Sequence, residues 1–521
     1  MSPDHLPQHL LTILLFVPLL GTFFIGLMPE RSAYAIASVL GMVMVVVAAL
    51  LGLNFNPSYT GMQFVEQIPW IRWPFPVDYH VGIDGMSLCL IILTTIVTAT
   101  AILASKNVAQ NRPKLYYSLL MLLTTSIIGV FISLDLVQFF VLYELELIPM
   151  YFLIAIWGGP RREYAAMKFL IYTFLGGIFM LGGLLYLYFQ TGLVGPGLQT
   201  FDMVKLAHIS PFLAKGAQLG CCLAFLLAFL IKLPSFPLHT WLPDAHVEAP
   251  TPVSMILAGL LLKMGSYGLV RINLGFFPEA VGTLAAFIMA LGCFNIVWAA
   301  IACLVQQDMK RIIAFSSVSH MGFVLLGLGS LSAVGLSGAV FQMISHGFIS
   351  AALFFLVGVL YDRCHTRQIA EIGGGLARQM PMIFYFWMLA CMANLALPGL
   401  SGFVAEVTVF YGAFTSAVAA SLSHSLVRPW IIIACITVIL SAGYMLWLLK
   451  RLFYGSELPK WEGHLSDATP REVLIAATLS FFMLSLGIYP MLLTNAYTPL
   501  TDKIILDLSN RHLTSLPQSH G

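Results

Sequence analysis

About fourteen apolar runs, each long enough to cross a bilayer, constrain the fold of this chain more than any other feature. A helix needs about 20 predominantly apolar residues to span roughly 30 Å of hydrocarbon, and runs of that kind recur from residue 9 to residue 494. Only 9% of the 521 residues are charged, whereas a soluble domain carries about 25%. The sequence therefore predicts an all-α integral membrane protein with about fourteen transmembrane helices.

One connection between the predicted spans has a different character. Residues 56–84, NPSYTGMQFVEQIPWIRWPFPVDYHVGID, alternate between apolar and polar side chains and are rich in proline and tryptophan. Such alternation is typical of strands, and tryptophan favours the boundary between membrane and water. The segment therefore predicts an interfacial hairpin with aromatic anchors.

Charge and cysteine content exclude several other classes of function. The net charge is +2 and no basic stripe occurs, so nothing indicates a nucleic-acid partner. The eight cysteines form no CxxC pair and mostly lie inside apolar runs. They are interpreted as buried apolar residues, and no metal or iron–sulfur site is expected in this chain.

Lysine and arginine are distributed unequally between the two sets of connections. Connections after odd-numbered spans hold 16 of the 25 lysines and arginines, Lys310 among them, whereas connections after even-numbered spans hold 5, including Arg271. By the positive-inside rule, the odd connections face the cytoplasm or stroma and both termini face the opposite side. Two lysines fit neither set nor the C-terminal tail, because Lys232 and Lys263 lie deep inside predicted spans.

These two lysines and a few acidic residues place charge at bilayer depth. Such a charge costs about 2.5 to 3.5 kcal/mol on insertion scales, so residues of this kind usually face the bundle interior and act in ion or proton pathways. The acidic residues in similar positions are Glu144, Glu146 and Glu406. Each ion pair could simply pin two helices together, but two lysines on successive spans without an obvious local partner favour transport.

Helix-breaking residues follow Lys232 and recur in a later span. Pro234 and Pro237 cannot donate to the preceding turn, so the seventh span is expected to open just after Lys232. Pro398 and Gly399 form a second break in the twelfth span. Interrupted helices at corresponding positions of two halves indicate a transporter that is built of repeats.

The spacing of the two breaks fits two five-helix repeats, formed by helices 4–8 and 9–13. Because five is an odd number, the second repeat must be inverted relative to the first. We expect helices 1–3 with the hairpin at residues 1–110, the first repeat at 111–275, the second repeat at 276–455, and helix 14 with the C-terminal tail at 456–521.

Four histidines, His239, His246, His320 and His346, lie in or beside predicted spans. Imidazole titrates near physiological pH, so each is a candidate proton relay, although a lone histidine on an apolar face also serves a structural role. Bis-histidine haem ligation usually needs stacked pairs at two depths. Only His320 and His346 could form one such pair, so the sequence does not favour haem binding.

Several motifs over nearly the whole chain resemble the antiporter-like membrane subunits of respiratory complex I. They are VGIDGMSL, YELELIPMYFLIAIWGGPRREYAAMKF, KLPSFPLHTWLPDAHVEAPTPVSMILAGLLLKMGSYGL, KRIIAFSSVSHMGFVLLG and LPGLSGFVAE. YELELIP and WGGPRREYAAMKF are most similar to the photosynthetic branch of cyanobacteria and chloroplasts, with the bacterial M-type subunits as close relatives. HVEAPTP departs from the commoner HGEA of that branch, which points to a specialised paralogue such as that of the CO2-uptake form.

The resemblance implies fourteen spans, inverted repeats and broken seventh and twelfth helices. It implies that Glu144, Lys232, Lys263 and Glu406 transfer protons, whereas Glu146 is not general to the wider family and ranks second. The implied complex oxidises ferredoxin or a nicotinamide donor and reduces plastoquinone in the thylakoid membrane, in cyclic electron flow or respiration. The implied partners, besides lipids, are antiporter-like F-type and B-type subunits and a peripheral arm that holds the iron–sulfur clusters.

The mechanistic hypothesis is that Lys232 takes a proton from the cytoplasmic side while Glu144 holds it charged. Burial disfavours a charged amine and a nearby carboxylate favours it, so separating the pair expels the proton toward Lys263 through water and a histidine. It then passes along the midplane to Glu406 and leaves on the lumenal side. Two alternatives stay open at this point: a Na+/H+ or K+/H+ antiporter that needs no quinone, and a scaffold that moves no ions.

Overall fold

The structure is a computed structural model that describes residues 9–195, 197–421, 427–461, 463 and 465–514. These residues are mostly helical and include one β-hairpin. The helices are α1 (Leu10–Leu27), α2 (Ala33–Asn54), α3 (Gly85–Ala104), α4 (Pro113–Ile132), α5 (Leu136–Leu145), α6 (Leu147–Trp157), α7 (Arg162–Val194), α8 (Met203–Ile209), α9 (Lys215–Lys232), α10 (Trp241–Glu248), α11 (Thr251–Ile256), α12 (Leu262–Gly268), α13 (Pro278–Leu304), α14 (Met309–Gly329), α15 (Ala333–Cys364), α16 (Ile369–Ile372), α17 (Pro381–Asn394), α18 (Ser401–Thr415), α19 (Ala417–Ser421), α20 (Val427–Phe453), α21 (Pro470–Ile488) and α22 (Met491–Thr514).

In the described part of the chain, thirteen helices are long and apolar enough to cross a membrane. A further apolar segment is divided into α17 and α18 by the residues between Asn394 and Ser401. Counting that divided segment as the twelfth gives the expected total of about fourteen. The predicted class, an all-α integral membrane protein, is confirmed.

Both predicted helix breaks are present. The seventh segment stops at Lys232, the last residue of α9, and helix resumes in α10 at Trp241. Without amide hydrogens, Pro234 and Pro237 cannot continue the helical hydrogen bonds. In the twelfth segment Gly399 has a φ of +93°, which L-residues rarely adopt, so a glycine permits the turn there.

Two further irregularities were not predicted. The fifth segment, expected as one helix over residues 134–157, is divided at Glu146, where α5 gives way to α6. Pro149 cannot donate to the carbonyl of Leu145, which weakens the helix at this point. The eighth segment contains two π-helical stretches, Leu257–Leu261 and Leu269–Leu274, which no sequence pattern predicted.

The expected hairpin consists of β1 (Gln63–Ile71) and β2 (Val77–Ile83), which pair in antiparallel register. Its second strand meets the connection between α4 and α5, because Val81 bridges Ser133. The connection between α4 and α5 also meets the connection that follows α7, because Asp135 bridges Asp202. Three connections that follow even-numbered spans therefore lie together, as alternating spans require.

The odd-numbered connections form a second group. Asp308, before α14, bridges Gln368, which follows α15. Glu248, before the eighth segment, accepts a hydrogen bond from the Arg161 backbone amide at 3.0 Å. The grouping by parity agrees with the predicted topology, and the unequal distribution of basic residues assigns the two sides.

Two basic residues that the sequence assigned to connections lie in helices and are largely buried. Arg271 belongs to the second π-helical stretch and pairs with Asp84 at 2.6 Å. Lys310 lies in the first turn of α14, is 5% exposed, and donates to the Ala249 carbonyl at 2.6 Å. The structure therefore adds two largely buried basic residues, near the ends of their helical segments, to the two lysines deep inside spans.

The eighth segment and α15 lie at the centre of the bundle, since their most apolar stretches are entirely buried. In contrast, α1, α2, α7 and α20 expose large apolar side chains. Apolar side chains are stable on the outside of a bundle that lipid or other membrane helices surround. The central helices are the ones that carry the candidate site.

Candidate functional site

A buried ion pair joins the seventh segment to the break in the fifth. Lys232, at the end of α9, directs its Nζ to Oε1 of Glu146, and the two side chains are 2% and 0% exposed. The ring of Tyr143 lies 4.7 Å from the same Nζ. A buried ammonium therefore has one carboxylate and one aromatic face as its neighbours, which satisfies the usual requirement that buried charges be paired.

Glu144 has a different environment. Its carboxyl group packs against Gly177 of α7, where an added Cβ would come within 2.5 Å of the carboxyl atoms. Its Oε1 is buried without a hydrogen-bond partner, and among the described residues no ion pair joins Glu144 to Lys232. The sequence ranked Glu146 second, whereas the structure makes Glu146 the carboxylate that contacts the lysine.

Lys263 lies at the centre of the bundle and is fully buried. Its Nζ donates to the Ala258 carbonyl at 2.5 Å and lies 2.7 Å from Nδ1 of His346 in α15. The first π-helical stretch ends two residues before Lys263. Such stretches occur frequently at functional sites, and this one places a backbone oxygen within reach of the amine.

The two lysine-bearing helices are in close contact. At Gly265, two residues after Lys263, an added Cβ would lie 3.1 Å from Lys232 Cβ and 2.8 Å from the Leu233 amide nitrogen. The absence of a side chain at Gly265 lets α12 rest directly on the last turn of α9. The two amines therefore belong to adjoining turns, although no direct hydrogen bond joins them in the described structure.

From Lys263 the polar contacts continue into the second half. His346 and His320 have ring centroids 5.4 Å apart, and His320 Nδ1 lies 3.4 Å from Oε1 of Glu406 in α18. Gln342 Nε2 lies 3.1 Å from the same Nδ1. We refer to Glu146, Lys232, Lys263, His346, His320 and Glu406 as the central polar series.

The other two candidate histidines lie outside this series: His246 is on α10, and His239 is in the unwound stretch just before that helix. His246 is buried and stacks on Phe354 with centroids 4.3 Å apart, and neither ring nitrogen has a hydrogen-bond partner within the described residues. His239 packs beside Trp298 with centroids 4.5 Å apart. The structure therefore brings two of the four candidate histidines into hydrogen-bonded or ring contact with the candidate lysine and glutamate, and places two beside aromatic rings.

The breaks themselves are held by polar side chains from other segments. Asn295 of α13 accepts a hydrogen bond from the Phe236 amide at 2.9 Å, within the unwound stretch that contains Pro234 and Pro237. Near the other break, Ser345 donates to Ser401 Oγ at 2.8 Å. These contacts satisfy backbone and side-chain groups that would otherwise be unpaired at membrane depth. Each break is therefore fixed by helices other than its own.

Asp244, which the sequence analysis did not single out, forms ion pairs with two basic side chains from different parts of the fold. Its Oδ2 lies 2.7 Å from Lys168 Nζ in α7, and its Oδ1 lies 3.1 Å from Arg311 Nη2 in α14. Asp244 is on α10, so these contacts tie the helix that carries His246 to α7 and α14. Only tertiary structure brings the three residues together.

We expect Asp244→Asn to lower proton translocation coupled to quinone reduction by a measurable fraction. The change removes the charge that orients α10, while the amide keeps the shape of the side chain. Partly buried ion pairs of this kind contribute on the order of 1 to 3 kcal/mol. Lys205→Ala, which alters an exposed cation, is the control. Wild-type coupling in an assembled Asp244→Asn complex would contradict this role.

No group of three or more His, Cys, Asp or Glu in the described residues could hold a metal ion. Seven cysteines are buried and Cys435 is exposed, and all eight are free.

Buried charges along the middle of a helical bundle, next to two interrupted segments, define a transport-type polytopic membrane protein. The family model described as "NADH:quinone oxidoreductase/Mrp antiporter, TM" matches residues 133–443. The chain belongs to this family.

Curated relatives agree over almost the whole length. NAD(P)H-quinone oxidoreductase chain 4 of Gloeobacter violaceus is 44% identical over 500 residues, covering 95% of this chain and 92% of the relative. The protein of the same name from Acaryochloris marina is 44% identical over 515 residues, covering 97% and 93%. The expected similarity to the photosynthetic branch of this family is confirmed, and the matching relatives are its chain 4, the D-type subunit.

Solved structures share the fold. A chain of respiratory complex I from Thermus thermophilus with bound NADH matches with a TM-score of 0.85 and 25% identity, covering 96% of this chain and 99% of that chain. A chain of the Mrp complex from Dietzia matches with a TM-score of 0.81 and 19% identity, covering 98% and 99%. The second likeness shows the fold alone.

Proposed function

We propose that this chain is the proton-translocating membrane subunit of a photosynthetic complex I-type NAD(P)H- or ferredoxin-plastoquinone oxidoreductase. The observation that carries the proposal is the central polar series, which crosses the middle of the bundle from Glu146 to Glu406. The relatives named NAD(P)H-quinone oxidoreductase chain 4 support the assignment to such a complex.

The first step is the loading of Lys232. The amine binds a proton from the cytoplasmic side, and Glu146 stabilises the resulting ammonium through the buried ion pair. Moving the carboxylate away leaves the ammonium desolvated and unpaired, which disfavours its charge. The proton then leaves Lys232, and Glu144, whose Oε1 is buried without a hydrogen-bond partner, is the alternative carboxylate on the same segment.

The second step carries the proton to Lys263 and across the midplane. The break after Lys232 and the glycine contact at Gly265 bring the two turns together, and water bridges the remaining gap. Lys263 passes the proton to His346, with which it already shares a 2.7 Å contact. His320 and Glu406 follow, and the proton leaves on the lumenal side.

Buried polar atoms near the end of this path support the presence of ordered water beside Glu406. Glu406 Oε2, His320 Nε2 and Asn394 Oδ1 are buried without a hydrogen-bond partner among the described residues. Buried polar atoms of this kind are usually satisfied by ordered water. Such water would connect Glu406 to the lumenal side.

The energy for the cycle comes from redox chemistry in partner subunits. We propose that this chain binds no redox cofactor, and that iron–sulfur clusters and plastoquinone belong to other parts of the complex. The partners are the F-type and B-type antiporter-like subunits and the peripheral arm, in a thylakoid membrane. We retain the four-segment organisation, with the inverted five-helix repeats at residues 111–275 and 276–455, as part of this proposal.

The proposal predicts proton transport that needs quinone reduction but no counter-ion. The purified complex is reconstituted in liposomes with a plastoquinone analogue and reduced ferredoxin or NADPH, in buffers that contain only Na+, only K+ or only choline. We expect the same number of protons per quinone in all three buffers, because every member of the central polar series can exchange a proton. Transport that stops in choline, or that proceeds without quinone reduction, would favour a cation/proton antiporter.

A further inference from the structure

The lumenal end of the eighth segment carries a buried arginine that the proton path does not use. Arg271 lies in the π-helical stretch Leu269–Leu274, eight residues after Lys263. Its Nη2 pairs with Asp84 at 2.6 Å, and its side chain is 10% exposed. Asp84 is fixed in turn, because it caps α3 by accepting a hydrogen bond from the Ser87 amide at 2.9 Å.

Tyr267 lies along the helix between Lys263 and Arg271. Its hydroxyl accepts a hydrogen bond from Arg271 Nε at 3.1 Å and donates to the Phe131 carbonyl at 3.2 Å. The same hydroxyl lies 3.0 Å from Ser87 Oγ, to which Arg271 Nη2 donates at 3.2 Å. The guanidinium is therefore held in place by a carboxylate and two hydroxyl groups.

A cavity of about 230 Å3 meets this cluster from the lumenal side. Arg271 is one of its lining residues, and His208, Lys503 and Asp507 also line it. These three residues are exposed. Lumenal water can therefore approach Arg271, the most deeply placed charged residue of the lining.

The chemistry of a guanidinium prevents it from relaying a proton. Arginine has five N–H donors and no acceptor, and it does not lose its proton in proteins. A proton that arrives through water in the cavity meets a group with no free electron pair to receive it. Arg271 lines the cavity and donates to Tyr267, which does not line it, so the guanidinium stands between lumenal water and the Tyr267 hydroxyl.

We propose that Arg271 is an insulating residue that closes the direct route between the lumenal cavity and Lys263. Protons that reach Lys263 then leave only through His346, His320 and Glu406, and do not return along the eighth segment. Asp84 and Tyr267 position the guanidinium. This inference rests on the proposed function, because it assumes that Lys263 carries protons.

Replacement of Arg271 by alanine is expected to open this route. The cavity would extend inward, and Asp84 would lose its counter-charge and become a carboxylate that can accept a proton. The measurement uses the whole complex in liposomes without any electron donor. A potassium gradient with valinomycin imposes a membrane potential, and a pH-sensitive dye reports passive proton flux. We expect a several-fold rise in flux per complex for Arg271→Ala.

Arg363→Ala is the matched control, because Arg363 also forms a buried ion pair, with Glu472 at 2.8 Å and 9% exposure, on the opposite side of the protein. The double variant Arg271→Ala with Lys263→Ala is expected to return the flux to the wild-type level. Wild-type flux in an assembled Arg271→Ala complex, an equal rise in Arg363→Ala, or a leak that persists in the double variant would overturn the proposal.

The test separates this proposal from the proposed function. Passive flux requires no redox turnover, whereas proton pumping is measured during quinone reduction with Lys263→Ala alone. If Lys263→Ala pumps normally, the proposed function fails. If Lys263→Ala stops pumping but Arg271→Ala does not leak, only the insulating role of Arg271 fails.

Discussion

Lys263→Ala is expected to abolish most proton translocation through this subunit while quinone reduction continues at a reduced coupling ratio. Lys263 is the point at which the two halves of the central polar series meet. On one side of it lies the α9 turn that carries Lys232, and on the other side lies His346 of α15. Alanine leaves a gap of a whole side chain there, and His346 loses its charged neighbour. The measurement is the number of protons moved per quinone reduced, by the assembled complex in liposomes.

A matched control is available on the same helix. Ser266 lies three residues after Lys263, is fully buried, and within the described residues its hydroxyl donates to the Leu262 carbonyl of its own helix at 3.3 Å. Ser266→Ala therefore tests packing in α12 without changing the series, and we expect near wild-type coupling. A Lys263→Ala complex that assembles and retains the wild-type proton-to-quinone ratio would show that this chain is a scaffold.

The helix breaks and the buried lysines could be predicted because their signals are local. A proline removes a backbone donor wherever it stands, so Pro234 marks the end of α9 without knowledge of the fold. A lysine inside an apolar run is equally visible, since its cost in a bilayer depends little on its neighbours. The same local signals identified Glu406 and the break at Gly399.

The pairing of charges could not be predicted, because it depends on which helix faces which. Glu144 and Glu146 are two positions apart and so point to different sides of the fifth segment, and only the packing of α9 determines which one meets Lys232. Asp244 and Arg271 have the same explanation, since their partners lie on other segments. The π-helical stretches also follow from tertiary packing.

The second large effect concerns the two glutamates of the fifth segment. Glu146→Gln is expected to lower the thermal stability of the assembled complex and to reduce pumping strongly. It removes the carboxylate that forms the ion pair with the buried Lys232 ammonium in the described structure, and leaves the Tyr143 ring 4.7 Å from Nζ. Removing one partner of a buried ion pair costs about 3 to 5 kcal/mol, because the other charge remains desolvated.

Glu144→Gln is expected to behave differently. Its Oε1 has no hydrogen-bond partner in the part of the chain that the structure describes, and its carboxyl group rests on Gly177. Neutralising it therefore removes a desolvated charge and breaks no observed hydrogen bond of Oε1. Stability is then expected to stay near the wild-type value. Pumping still falls, because Lys232 loses the second carboxylate to which its ion pair can be exchanged.

The two variants together distinguish the carboxylate that pairs with Lys232 in the structure, Glu146, from the carboxylate to which the ion pair is exchanged during pumping, Glu144. Unfolding of the complex followed by heating, and protons per quinone measured in liposomes, give two independent readouts for each variant. Loss of both in Glu146→Gln, with loss of pumping alone in Glu144→Gln, is the expected pattern. An unchanged melting temperature in Glu146→Gln would mean that the ion pair with Lys232 contributes no stability, and the loading step would then have to be assigned to Glu144.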